Sequence, residues 1–269
     1  MNDHLRESKS KGLVDLAIDP DVLSKELAAE LSGDPLDEID PTEFDFDSRK
    51  IADECDAGLK WLKQGHEERL QGLRIFCEHR DPRALPLLIP LLQEPCPVER
   101  MSAVYALGRN PCPRAVEILL HILKNDSNAY VRKATAWSLG NYAESPVLMP
   151  LIDALRNDVA AVRLWASGSL AEAGSISSDK ADCAAIQLLE SLQIDSEPVV
   201  RSNCIWSLGR LYDKLTSNRK HELLDSLVEV LMNDVESSVR YEARVALEQL
   251  DSPQLRARFK NLFDEGILT

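Results

Sequence analysis

Six cysteines, five histidines and a set of tryptophans are the residues of this 269-residue chain whose chemistry reaches beyond packing. The cysteines are Cys55, Cys77, Cys96, Cys112, Cys183 and Cys204, and none forms C-x-x-C or another compact ligand spacing. A zinc finger or a self-held iron–sulfur cluster needs such spacing to gather thiolates on one centre, so no metal site is expected. Cys96 and Cys112 each lie between prolines, in Pro95-Cys96-Pro97 and Pro111-Cys112-Pro113, in the turns before and after one helix. They are read as turn residues, exposed and close together on one rim. His4, His66, His79, His121 and His221 are scattered, with no H-E-x-x-H and no triad spacing, and no G-x-G-x-x-G or Walker loop is present. The chain is therefore expected to hold no intrinsic cofactor and to carry out no catalysis with its own side chains.

The elements that position these residues recur. Val131-Arg132-Lys133-Ala134-Thr135-Ala136-Trp137-Ser138-Leu139-Gly140 is echoed by Val200-Arg201-Ser202-Asn203-Cys204-Ile205-Trp206-Ser207-Leu208-Gly209. Aligned on the helix-opening arginine, the repeats start at Arg69, Arg100, Arg132, Arg163, Arg201 and Arg240, spaced by 31, 32, 31, 38 and 39 residues. Each interval also holds an apolar helix such as Ala115–Leu123, and an Asp stands five or six residues before the arginine at Asp126, Asp158, Asp195 and Asp234. Two-helix units of this length cannot bury their apolar faces alone, so they stack. The expected fold is all-α, a right-handed α-solenoid of about six two-helix repeats over residues 51–269. The longer spacings are assigned to loops at Gly174–Lys180 and Asp213–Asn218, and Leu255–Phe263 reads as a C-terminal cap.

The D-x-x-x-x-V-R-x-x-A-x-x-x-L-G pattern resembles HEAT-type repeats, in the short variant first associated with phycobilisome lyases. The resemblance covers about residues 57–250. Among cyanobacterial members, size and acidic lead-in are similar to those of the HEAT-repeat partners of the iron–sulfur assembly protein IscA. It implies two functions. One is a non-catalytic adaptor that holds a protein partner, possible contact with an iron–sulfur cluster coming through the partner's cysteines. The other is a phycobilin lyase or chromophore-handling subunit acting on phycobiliproteins, its arginines pairing the propionates of a bilin.

An α-helix turns roughly 100° per residue. With the arginine as zero, positions −1, +3, +4 and +7 gather on one face and form the core. The glycine at +8 is expected to end the helix in a left-handed conformation. The ion-pair ladder between neighbouring turns is assigned to Asp126, Arg132, Asp158, Arg163, Asp195, Arg201, Asp234 and Arg240. Positions +2, +5 and +9 fall opposite the core, on the side that lines the concave surface of such solenoids. They carry Tyr105, Arg109, Trp137, Asn141, Trp165, Trp206 and Arg210. Aromatics among arginines are enriched at binding hot spots, because they bury large area with few rotors. These seven residues are the candidate groove; the alternative is that the aromatics pack between adjacent helices.

Charge divides the chain. Its net value is −14, yet residues 1–56 hold 17 acids against 6 Lys or Arg, which leaves the remainder nearly neutral. No basic stripe of the kind that neutralises phosphates is evident, so nucleic acid is not an expected partner. Residues 1–50 read as an acidic extension, partly disordered or capping; around Phe44-Asp45-Phe46 it could also lie in the groove until a partner displaces it. No apolar run approaches the roughly 20 residues of a membrane span. Six cysteines in a chain this long, with no secretory leader, point to a reducing compartment and lead us to expect a cytoplasmic protein.

Overall fold

The structure, a computed structural model, describes residues 48–250. The readings made for the acidic extension and for the cap at Leu255–Phe263 lie outside these residues. Among the described residues the chain forms twelve α-helices and no strand. In order these are α1 (Ser48–Trp61), α2 (His66–Glu78), α3 (Leu85–Leu91), α4 (Pro97–Arg109), α5 (Val116–Asn125), α6 (Ala129–Gly140), α7 (Leu148–Asn157), α8 (Ala160–Gly174), α9 (Ser178–Ile194), α10 (Pro198–Leu211), α11 (Ser217–Asn233) and α12 (Ser237–Gln249). They pair into six antiparallel repeats and stack as an α-solenoid.

The even-numbered, arginine-led helices form one row, each packed on the next. The odd-numbered helices form a second row that touches more sparingly. The row whose members approach more closely lies on the inside of any bend in the stack, and we call it the inner row. Its core positions repeat faithfully. Val131, Val162, Val200 and Val239 are fully buried, as are Leu107, Leu139, Leu170 and Leu208. Ala103, Ala166, Cys204 and Ala243 fill the small +3 position with no exposure. Outer helices are one-sided, so α5 buries Val116, Leu119, Ile122 and Leu123 on a single stripe. Inner helices meet neighbours on three sides, which is why α8 buries ten of its 15 residues, mostly Ala, Ser, Leu and Gly.

Two local expectations change. The long spacings enter mainly as helix: α9 and α11 each run 17 residues against ten in α5 and α7. Ser177 caps α9 by accepting the Lys180 N–H, and the Ala-rich sequence that follows favours continuation. The +8 glycines also do not stop their helices in a left-handed conformation. Gly108 and Gly209 lie inside α4 and α10, Gly140 is the last residue of α6, and none has positive φ. Gly108 and Gly140 instead allow close approach. A Cβ on Gly108 would lie 2.5 Å from Trp137 Cζ3 and 3.0 Å from Ser138 Oγ; one on Gly140 would lie 2.9 Å from Ser169 Oγ.

Candidate functional site

The turns that lead into the inner helices carry a ladder. Arg100 donates Nε and Nη2 to Asp126, Arg132 to Asp158, Arg163 to Asp195 and Arg201 to Asp234, all at 2.6–2.9 Å. Each arginine thus reaches the aspartate of the following repeat with a two-toothed fork. Its Nη1 turns back to a carbonyl of its own preceding turn: Glu94 and Pro95 for Arg100, Asp126 for Arg132, Asp158 for Arg163, Asp195 for Arg201, and Asp234 for Arg240. The aspartates have a second task. Asp126, Asp195 and Asp234 accept the backbone N–H two residues on, at 2.9 Å, which shapes the turn into the next helix. Burial and these saturated hydrogen bonds occupy the ladder with holding the stack.

The inner face carries the aromatics. Tyr105 and Trp137 come from successive inner helices, and their ring centroids lie 5.3 Å apart at 57°. Trp137 sits over Gly108, so it is half-buried between α4 and α6. Trp165, also half-buried, has Lys133 Nζ 6.0 Å from its ring centroid. At the +5 position of α8 stands Gly168, which interrupts the aromatic row. Beyond that gap Trp206 is 50% exposed, with the Arg210 guanidinium 4.9 Å over its ring. Arg210 also pairs with Glu172 of α8 at 2.6 Å. Arg109 is exposed and donates Nε to the Cys77 carbonyl at 3.2 Å, while Asn141 is exposed at the end of α6. The seven residues therefore divide: Tyr105, Trp137 and Trp165 pack partly between helices, and Trp206, Arg210, Arg109 and Asn141 face outward. The physical result is a shelf of cation-capped rings that can stack on a planar or apolar group.

Among the cysteines, Cys204 is fully buried, and burial pushes its thiol well above the ordinary range. Burial likewise pushes Cys77 up to about 12. Neither is a ready nucleophile. Cys96 and Cys112 do not share a rim. Cys96 caps the start of α4, and Cys112 lies buried beyond its other end, with about 20 Å of helix between them.

The fold gathers two groups that sequence spacing left apart. Buried Asn110 donates Nδ2 to the Phe76, His79 and Ala106 carbonyls and accepts the Asp81 N–H, closing the end of α2. At the opposite end of the inner helices, His66, Cys96 and Glu99 bring one nitrogen, one sulfur and one carboxylate oxygen within 4.8 Å of one another. One sign of the second group was visible in sequence: Glu99 stands at the −1 position that Val131, Val162, Val200 and Val239 fill elsewhere. On the outer face, α5 and α7 leave a cavity of about 540 Å³ lined by His121, Met149, Asp153 and Asn157, away from the aromatic row.

Comparison with known proteins adds the following. A family model described as HEAT repeats matches residues 63–140, 116–209 and 148–248. No curated protein matches the chain. Among solved structures, the CpcE–CpcF complex of phycocyanin lyase from Nostoc sp. PCC7120 is 26% identical, with a TM-score of 0.51 over 62% of this chain and 99% of that one. A designed armadillo repeat protein in complex with the peptide (KR)4 is 20% identical, with a TM-score of 0.57 over 72% of this chain and 98% of that one. Kap95p, from a complex with RanGDP, has a TM-score of 0.60 at 15% identity, over 90% of this chain and 36% of its own. At the last two identities the likeness is one of fold. No helix among the described residues is long and apolar enough to cross a membrane.

Proposed function

The chain belongs to the HEAT-repeat family, and on that premise we propose that it is a non-catalytic adaptor that grips a protein partner along its inner aromatic shelf. The observation that carries this reading is Trp206. A tryptophan left half exposed and capped by an arginine on an otherwise well-buried helix offers a desolvation-ready anchor, the type most enriched among binding hot spots. Ring contacts and partial burial hold Tyr105 and Trp137 in place, and Arg210 lies over Trp206, so less ordering is left to be done when a partner arrives. The resemblance in the repeats directs the choice of partner to a cytoplasmic iron–sulfur assembly protein of the IscA type, whose own cysteines hold the cluster.

A second reading is supported by the likeness to the CpcE–CpcF phycocyanin lyase. On it, the shelf holds an open-chain tetrapyrrole bound for a phycobiliprotein, with the exposed ring of Trp206 stacked on a pyrrole and Arg210 beside it pairing a propionate. One experiment separates the readings. The purified protein is titrated with an IscA-type protein by calorimetry and with free bilin by visible absorption, and Trp206→Ala is run beside it. The adaptor reading expects a complex with the protein that Trp206→Ala weakens at least about tenfold, equivalent to roughly 1.4 kcal/mol. A bilin shift without a protein complex selects the second reading. No heat with the protein and no colour change with bilin overturns both.

A further inference from the structure

The first rung of the ladder is built from different residues than the others. In the next four rungs an arginine forks onto an aspartate six or five residues ahead of the following arginine. Here Glu94 occupies that place, and it only reaches Arg69 Nη2 at 3.9 Å. Arg69 Nε turns instead to Glu99 at 2.8 Å. Glu99 stands where the four later repeats bury valine, and its side chain is 2% exposed. A carboxylate that deep is costly unless it is paired or bound to a cation. Arg69 satisfies part of it, but an ionised carboxylate has about four acceptor directions.

The other groups turned toward Glu99 are metal-ligating ones. His66, at the first position of α2, places Nδ1 3.2 Å from Glu99 Oε1. Cys96, the residue that caps α4, brings its sulfur into the same cluster, all three ligand atoms lying within 4.8 Å of one another. The backbone fixes each donor. Cys96 is held between two prolines, and Glu99 is locked in the first turn of α4. His66 is exposed and Cys96 half-exposed, so an ion has a path from solvent to a buried carboxylate.

We propose that His66, Cys96 and Glu99 form a three-ligand site for a zinc-class divalent cation. One imidazole, one thiolate and one carboxylate are a mixed set of borderline softness, which suits Zn2+ over the oxygen-seeking Mg2+ or Ca2+. Zinc draws such ligands to about 2.0–2.3 Å, so the three side chains close inward by small rotations on binding. A fourth position stays open to water. Arg69 holds the carboxylate in place by donating Nε to Oε1, the oxygen that also faces His66, a hydrogen bond of the kind that orients metal ligands. In this reading the site clamps α2 to α4, replacing the arginine–aspartate fork with a metal-linked rung. It does not depend on what occupies the aromatic shelf.

The test uses the full, reduced protein freed of metal, with Co2+ as the probe. One equivalent is expected to give visible d–d absorption and a thiolate-to-cobalt charge-transfer band, both bleached by Zn2+. Cys96→Ser, which places a favoured residue at the N-cap position, removes the charge-transfer band. His66→Ala weakens binding beyond the roughly 10–100-fold that loss of an outer hydrogen-bond partner costs. Cys183→Ser, away from the cluster, leaves the spectrum unchanged. Helicity measured by circular dichroism establishes that each variant is folded. Absence of a thiolate band at one equivalent, or a band that survives Cys96→Ser, overturns the site.

Discussion

Arg201 and Asp234 each leave 8% of their side chains exposed, which makes theirs the most enclosed of the arginine–aspartate forks. Burial pushes the Asp234 carboxyl upward. The hydrogen bond from Arg201, the Glu236 N–H and the charges of Arg201 and Arg240 outweigh it, and the group sits below its ordinary value of 3.8. A carboxyl depressed in the folded state contributes stability that is fully present above its unfolded value and is lost as pH falls through the folded one. Asp234→Asn strands a buried guanidinium without its counter-charge and is expected to cost about 3 kcal/mol at neutral pH. The gap from wild type narrows below about pH 4, where the natural carboxyl protonates too. Urea unfolding followed by helicity at neutral and acid pH checks both; a gap that does not change with pH removes the charge argument. Arg210 gives the contrast. Its side chain is 45% exposed and its partner Glu172 41%, so Arg210→Ala is expected to change stability by less than about 1 kcal/mol. Any effect of that substitution on partner binding is then a property of the shelf rather than of the stack.

At the scale of the helix, the glycines separate two explanations of the repeat. If the +8 glycine were a left-handed stop, alanine would be harmful in every copy. In the structure Gly108→Ala drives a methyl into Trp137 and Ser138 and is expected to cost about 1–3 kcal/mol by overpacking. Gly209 lies inside α10 with nothing within 4 Å of an added Cβ, so Gly209→Ala is expected to stabilise by roughly 0.5–1 kcal/mol through lower chain entropy. Thermal melts of the two variants should move in opposite directions; a fall in both restores the helix-stop reading. The same contrast shows what was legible beforehand. The 3.6-residue spacing of Val131, Thr135 and Leu139 and the arginine at each helix start are local signals, so six helix pairs could be read directly. A glycine near a helix end has two uses, and only the helix beside it decides between them. Cys96 and Cys112 were misplaced because flanking prolines report a turn, whereas the helix between the turns sets their separation. Trp137 and Trp206 occupy equivalent positions in sequence and differ in exposure: Trp137 lies over Gly108 and against Tyr105, whereas Trp206 is half exposed.

Across the whole described stack, the main contacts join each helix to its own repeat or to an adjoining one. Such a molecule is close to one-dimensional: its stability is a sum of repeat and interface terms, and a perturbation travels as far as neighbouring interfaces carry it. The forks follow the same rule, since each arginine reaches one repeat onward. This predicts how damage is distributed as well as how large it is. Gly108→Ala strains the α4–α6 interface, where Tyr105 meets Trp137, and leaves the α10–α12 interface with every contact it had. Hydrogen exchange should therefore speed up in peptides from α4 and α6, by about tenfold for each 1.4 kcal/mol lost locally, while peptides from α10 and α12 stay at wild-type rates. A globular domain with one shared core would show the opposite, a uniform loss of protection at every slow amide. Uniform acceleration in this variant would mean that the stack unfolds as a single unit, and the shelf at Trp206 would then be sensitive to any change at Trp137. Confined acceleration leaves Trp206 and Arg210 undisturbed, so that partner affinity measured in Gly108→Ala reports only what the Tyr105–Trp137 end of the shelf contributes.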